Sequence, residues 1–211
     1  MAKKQVFLST IFALCIVFAV GIIIGNLISN PETKEINKVL RQSELSTESY
    51  LLEQELLADF DQNCDLAKTR LAALSGELWQ LGKLLGSETA KSDLGESNYH
   101  FLKLKYHLMQ IKTYLLFANL NKDCNFTTPV VLFFYSQDDA DSKEQGKILD
   151  SLVKDYDIKV FAVEAGYSGE LDFLEMFYDV SETPFLVLNY NIKKPGLTSY
   201  EVVESEMKLG E

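Results

Sequence analysis

Three carboxylates and a hydroxyl lie between an apolar run and a helical pattern. Asp138, Asp139, Asp141 and Ser142 follow residues 130–135, which carry no charge. Three neighbouring carboxylates could begin the shell of about six oxygen ligands that a hard cation requires. Asp and Ser ahead of a helix more often accept hydrogen bonds from its first N–H groups. We therefore favour helix capping over a metal site here.

The elements around this cluster predict an α/β domain over residues 125–211. Val130 to Tyr135 is an unbroken run of β-branched and aromatic residues, which is typical of a strand covered on both faces. A helix follows, because apolar residues recur at helical spacing up to about Tyr156. The later elements are a strand at 158–163, a helix at 169–178, a strand at 185–189, a turn at 194–196 and an antiparallel return strand at 197–203. Alternation of strands and helices favours parallel pairing of the first two strands.

Thr183–Pro184 joins the second helix to the third strand within the tract YDVSETPFLVLN, and this tract resembles the thioredoxin family. In that family, a Cys-x-x-Cys pair begins the helix after the first core strand, and a cis proline faces it. Asp139 and Ser142 occupy the two cysteine positions, so the resemblance implies a thioredoxin-like domain that lacks the redox motif. It also implies a cis Thr183–Pro184 bond beside a groove that holds an extended peptide in redox-competent relatives. A closing C-terminal helix is usual in the family, but only eight residues, 204–211, remain for it. The helices before the domain are therefore expected to cover that sheet face.

Two helical patterns precede this domain, at residues 65–85 and after the turn-forming stretch 86–98. They predict an antiparallel helical hairpin over residues 64–124. Cys64 precedes the first helix and Cys124 follows the second, so the hairpin brings both thiols to its base. Outside the cytoplasm the pair would form a disulfide that closes a loop of about 60 residues. The alternatives are two free thiols or a redox-active pair.

The remaining candidates for chemistry are two histidines and one asparagine. His100 and His107 have no Cys or carboxylates at ligand spacing, so we interpret both as ordinary helix residues and expect neither metal nor cofactor. Asn125 begins Asn-Phe-Thr, which matches the N-glycosylation pattern. The sequence leaves its occupancy open.

The N-terminal part contains an apolar segment long enough to span a membrane. No charged residue occurs from Gln5 to Asn30, and about 20 apolar residues span a bilayer core as a helix. We expect a tail at 1–5, a transmembrane signal-anchor helix at 6–29 and a helical stalk at 30–63. A cleavable signal peptide is the alternative, although its apolar region is usually shorter.

The charges beside this segment predict its orientation. Lys3 and Lys4 precede it and Glu32 and Glu35 follow it, which favours a cytoplasmic N-terminus and a C-terminal domain outside the cytoplasm. The lipid bilayer is therefore the first expected partner. The irregular apolar stripe of the stalk allows self-association into a homo-oligomer, but it has too few clean repeats to predict a coiled coil.

Composition excludes some functions. The chain has 211 residues and a formal net charge of −11, with 31 Asp and Glu against 20 Lys and Arg. Phosphate binding needs clustered cations, so we expect no nucleic acid partner. Three cysteines are too few for a disulfide scaffold.

These observations favour a single-pass membrane protein whose outer domain binds a protein partner or client without catalysis. The first alternative is an enzyme, a thiol-disulfide oxidoreductase that uses Cys64 and Cys124. The second is a structural envelope component. The sequence does not identify the partner.

Overall fold

The computed structural model of the protein describes residues 64–124 and 127–210, with isolated helical positions between 38 and 52. The predicted tail and span at 1–29 and the glycosylation candidate Asn125 lie outside the described residues. Within the described part of the chain, no helix has the length and apolar character needed to cross a bilayer.

In chain order the elements are α1 (Cys64–Leu85), α2 (Ala90–Leu94), α3 (Glu96–Cys124), β1 (Val130–Tyr135), α4 (Ala140–Asp155), β2 (Lys159–Glu164), α5 (Asp172–Tyr178), β3 (Phe185–Leu188), β4 (Ile192–Pro195) and α6 (Tyr200–Met207).

Helices α1 and α3 pack together as a hairpin, and a disulfide joins its base. Cys64 and Cys124 are bonded with their Cα atoms 5.8 Å apart, which confirms the predicted pairing. The loop expected at 86–98 is shorter than predicted, because α2 forms within it and α3 begins at Glu96. Ala90 and Leu94 of α2 are buried against the tip of the hairpin, and this burial outweighs the turn-forming composition.

The sheet has four strands in the order β2-β1-β3-β4. Strand β1 pairs in parallel with β2 and antiparallel with β3, and β3 pairs antiparallel with β4. The two central strands, β1 and β3, are buried along almost their whole length. This agrees with the uncharged, unalternating sequence of both strands, and the mixed sheet with helices confirms the α/β class.

Helices cover both faces of the sheet. Val130, Leu132 and Phe134 of β1 pack in one cluster with α1, α3 and α5, whereas Val131 and Phe133 pack in another with α4 and α6. The hairpin therefore covers one face, as expected, but it does not replace the C-terminal helix. That helix, α6, covers the other face.

The C-terminal strand prediction at 197–203 is wrong. The chain turns directly after β3, where Asn189 and Tyr190 adopt φ values of 45° and 70°, so β4 begins at Ile192. Lys194 and Pro195 of the predicted turn belong to β4, and Gly196 follows it with a φ of 74°. Residues 200–207 then form α6, because Val203 and Met207, one helical turn apart, are buried on the sheet. Helical burial outweighs the β-branched residues of this segment.

Candidate functional site

The start of α4 brings Asp139 and Ser142 into direct contact. Asp139 is the N-cap residue, and its carboxylate accepts hydrogen bonds from the backbone N of Asp141 at 3.2 Å and of Ser142 at 3.0 Å. The Ser142 hydroxyl also donates to this carboxylate at 2.6 Å. The hydrogen bond from the Ser142 hydroxyl is the main cause that holds the pKa of Asp139 below its usual range, and the two backbone bonds add to it. At these positions the fold therefore holds an ionised cap and a bonded hydroxyl.

Ser142 also ties the helix to the strand before it. Its buried Oγ accepts a hydrogen bond from the backbone N of Ser136 at 3.1 Å. Asp138 and Asp141 are exposed, and the described residues contain no group of three His, Cys, Asp or Glu side chains arranged to hold a metal ion. The arrangement of this segment is that of a helix cap.

The Thr183–Pro184 segment lies at the same end of the sheet. The peptide bond between the two residues is cis. Phe134 pairs with Phe185, so Pro184 lies opposite Tyr135, where β1 ends and the chain leads into α4. Pro184 is buried and its carbonyl accepts a hydrogen bond from Gly196 N at 2.8 Å. The predicted groove residues are thus grouped at one sheet end.

Helix α5 exposes an apolar face beside this sheet end. Phe173, Met176 and Phe177, which we call the α5 surface, are 54%, 77% and 72% exposed. Their spacing places them on one helix face, while Tyr178 is buried in the core. The Tyr178 ring lies 4.9 Å from that of Phe177 and 6.3 Å from that of Phe134, between centroids. The α5 surface therefore begins next to the end of β1.

Acidic side chains surround the α5 surface. No Lys or Arg occurs from residue 160 to residue 192. Four exposed carboxylates lie on and beside α5, and one of them, that of Asp179, pairs with Lys193 at 2.8 Å. The four are Glu170, Asp172, Asp179 and Glu182. The surface combines large apolar groups with negative charge.

A concave region lies at the β2 edge of the sheet. A cleft of about 760 Å³, which we call the β2 cleft, lies between α1 and α4 beside the edge strand β2. It reaches Ser142, but Thr183 and Pro184 are not among its lining residues. Its volume is in the range of about 300–1,000 Å³ that is common for ligand sites. None of the sequence patterns described above predicts this cleft.

Polar side chains are buried between α3 and the sheet near this cleft. Lys103 pairs with Glu164, and both are largely shielded from solvent. His107 is fully buried, and neither of its ring nitrogens has a hydrogen-bond partner of normal geometry among the described residues. Burial, reinforced by the Lys103 charge, lowers the pKa of His107 to about 3, although the nearby Ala162 carbonyl opposes this shift. His107 is therefore a neutral core residue at physiological pH.

Two further residues of α3 extend this polar group into the β2 cleft. Gln110 Nε2 donates to the Tyr106 hydroxyl at 2.5 Å, and burial raises the pKa of Tyr106 to about 12. The polar residues 103, 107 and 110 recur at intervals of four and three in an otherwise apolar stripe. That spacing is the sequence signal for this buried polar group, and the candidates named from the sequence do not include it. His100, in contrast, is exposed and its Nδ1 lies 2.8 Å from the Tyr167 hydroxyl.

Comparison with known proteins gives little further information. No model of a known protein family matches the chain, and no curated protein matches it. A solved structure titled "Structure of a malarial protein" is similar over 38% of this chain and 94% of its own length, with 20% identity and a TM-score of 0.33. A TM-score this low carries no argument about fold or function.

Proposed function

We propose that this chain is a membrane-anchored, thioredoxin-like protein that binds a protein partner without catalysing a reaction. The uncharged segment from Gln5 to Asn30 and the preceding lysines support the anchor and an extracytoplasmic domain. The start of α4 directly after β1, the placement of Pro184 before β3 and the closing helix α6 support the thioredoxin-like part.

The absence of redox chemistry is supported by the residues at the start of α4. Asp139 and Ser142 bond to each other and to backbone N–H groups, and neither carries sulfur. Cys64 and Cys124 are joined to each other at the base of the hairpin. An oxidoreductase would need this disulfide to open during turnover.

The observation that carries the binding proposal is the α5 surface. Three adjacent apolar side chains, each more than half exposed, lie beside the sheet end that holds Pro184. Contiguous exposed apolar groups on a soluble domain mark interaction sites. The surrounding carboxylates favour a partner segment that combines apolar and basic residues, because like charges across an interface are unfavourable.

Site-specific photo-crosslinking in cells tests this proposal. A photoreactive phenylalanine analogue at Phe177 should give a discrete crosslink to another protein, which Met176→Ser should abolish. Phe101 of α3 is 59% exposed and provides a matched control position, where the same analogue should give no such product. Equal crosslinking at both positions would refute the α5 surface as the binding site.

An insulin reduction assay separates binding from catalysis. The natural chain should give no dithiol-dependent insulin reduction above background. Activity that disappears when Cys64 and Cys124 are both replaced by Ser would instead identify a thiol oxidoreductase.

A further inference from the structure

Strand β2 presents unpaired backbone groups to the β2 cleft. In its parallel pairing with β1, Lys159 N donates to Pro129 O at 2.9 Å and Ala165 N donates to Tyr135 O at 2.9 Å. The backbone N–H groups of successive residues in a strand point to opposite sides of the strand. Those of Val160 and Ala162 therefore point away from β1. Among the described strands β2 pairs only with β1, and both residues line the cleft. Such an edge is a template for pairing with another strand.

The helices beside β2 extend past this edge. Helix α1 packs on one face of the sheet with α3, and α4 packs on the opposite face. Both helices line the β2 cleft, while β2 forms its floor. The cleft therefore has the position and orientation of one more strand in the central layer.

Two glycines on the facing walls of this cleft are not explained by packing within the chain. Gly76 lies in α1 and Gly146 lies in α4, and both line the cleft. A Cβ at either residue would have no described atom within 4 Å beyond its own helix backbone and chain neighbours. At Gly82, in contrast, a Cβ would lie 2.5 Å from the Tyr106 hydroxyl.

Glycine inside a helix destabilises it relative to alanine. The close approach of Tyr106 accounts for that cost at Gly82 but not at Gly76 or Gly146. At Gly76 and Gly146, the close approach of a bound molecule to the helix backbone would account for the cost of glycine.

The charge of the cleft differs from that of the whole protein. The chain has 20 Lys and Arg against 31 Asp and Glu, but four lysines line the cleft together with a single aspartate, Asp150. Two of these lysines are already paired, Lys103 with Glu164 and Lys159 with Asp157. The other two, Lys83 and Lys143, leave the rim with a positive balance. The occupant that complements this rim is anionic.

We propose that the β2 cleft binds an extended segment of a partner protein, rich in acidic and apolar residues, which adds as a strand to the free edge of β2. Its backbone carbonyls accept hydrogen bonds from the N–H groups of Val160 and Ala162, and its alternate side chains point to the Gly76 wall and the Gly146 wall. This proposal does not depend on the α5 surface, whose charge favours a basic segment.

Trp79 provides a direct probe of the cleft. It lines the cleft and is the one tryptophan of the sequence, so its fluorescence reports binding there. The ligand probe is a synthetic peptide of Val-Val-Glu-Glu repeats, which in a strand places Val and Glu on each face. The same repeat with Lys in place of Glu tests the charge, and N-methylation of alternate amides tests the strand pairing.

The acidic peptide should shift Trp79 emission in a saturable manner when it is titrated into the full chain in detergent. The Lys peptide and the N-methylated peptide should bind at least tenfold more weakly. Gly76→Leu and Gly146→Leu should each weaken binding at least tenfold without lowering resistance to urea, because both replace a helical glycine in open space. Ser151→Leu, on the exposed face of α4 outside the cleft, is the matched control and should bind normally.

Four results would overturn the proposal. The first is the absence of a shift with the acidic peptide at millimolar concentration. The second is binding that Gly76→Leu and Gly146→Leu leave unchanged. The third is equal binding of the N-methylated peptide. The fourth is saturable binding of laurate in place of the peptide, which would identify the cleft as a site for small anionic amphiphiles.

Discussion

Acidification from about pH 7.5 to pH 5 should destabilise this protein through His107, because the unfolded histidine has an ordinary pKa of about 6.5. In the folded chain, burial and the Lys103 charge lower the pKa of His107 to about 3. Between these two values the unfolded state binds a proton that the folded state does not bind. Stability is therefore full above the unfolded pKa and falls as the pH falls below it.

The groups that face His107 do not offset this effect. Tyr106, Tyr135 and Tyr167 surround the ring, and burial raises the pKa of each phenol, so all three stay neutral in this range. The charge of Lys103 opposes a second positive charge on His107. The free energy of unfolding should therefore decrease by about 2 kcal/mol between pH 7.5 and pH 5 from this residue alone.

Urea unfolding of the full chain in detergent at several pH values measures the effect. His107→Leu removes the titrating group, so the decrease on acidification should be smaller by about 2 kcal/mol than in the natural chain. His100, the other histidine of the sequence, is exposed, and His100→Gln should keep the full decrease. Equal pH dependence of the natural chain and His107→Leu would refute the neutral, buried state of His107.

Three further predictions concern other parts of the chain. Replacing Cys64 and Cys124 by Ser should lower the free energy of unfolding by about 4 kcal/mol, since the disulfide closes a long loop; an unchanged urea midpoint would contradict this. Protease added to intact cells should digest the domain after the predicted span, and protection until lysis would reverse the proposed orientation. Asp139→Cys with Ser142→Cys should introduce insulin reduction that the natural chain lacks, because a helix N-terminus stabilises a thiolate. Asp138 and Asp141 flank the new thiols and disfavour a thiolate, so neutralising both should raise this activity, and a folded but inert fourfold variant would refute the alignment of these positions with the redox motif.

Local patterns predicted most of the elements. Strand β1 and helix α1 were predicted within one residue, because an uncharged β-branched run and a regular leucine stripe each have one structural interpretation. The Cys64–Cys124 disulfide followed from equal spacing about the hairpin loop. The two elements depend on residues that are close in sequence, and the disulfide depends on the placement of both cysteines at equal distances from the hairpin loop.

Features that depend on distant contacts were missed. Helix α6 replaced a predicted strand because Val203 and Met207 find a buried surface on the sheet, which their own sequence does not reveal. The β2 cleft depends on two helices on opposite sheet faces and on the edge position of β2. Strand order is set by pairing across the whole domain, so neither the edge nor the cleft could be read from one segment.

The buried polar residues of α3 connect these observations to the width of the cleft. Lys103 can meet Glu164 in only one register of α3 along β2, and breaking a buried ion pair leaves an uncompensated charge. Helix α1 is in turn held to α3 by the disulfide and by the close approach of Gly82 to Tyr106. The ion pair therefore sets the register of α3 along β2, and the disulfide and the Gly82–Tyr106 contact set the position of α1 on α3. Because α1 and α3 both line the β2 cleft, these contacts determine where one wall of the cleft lies.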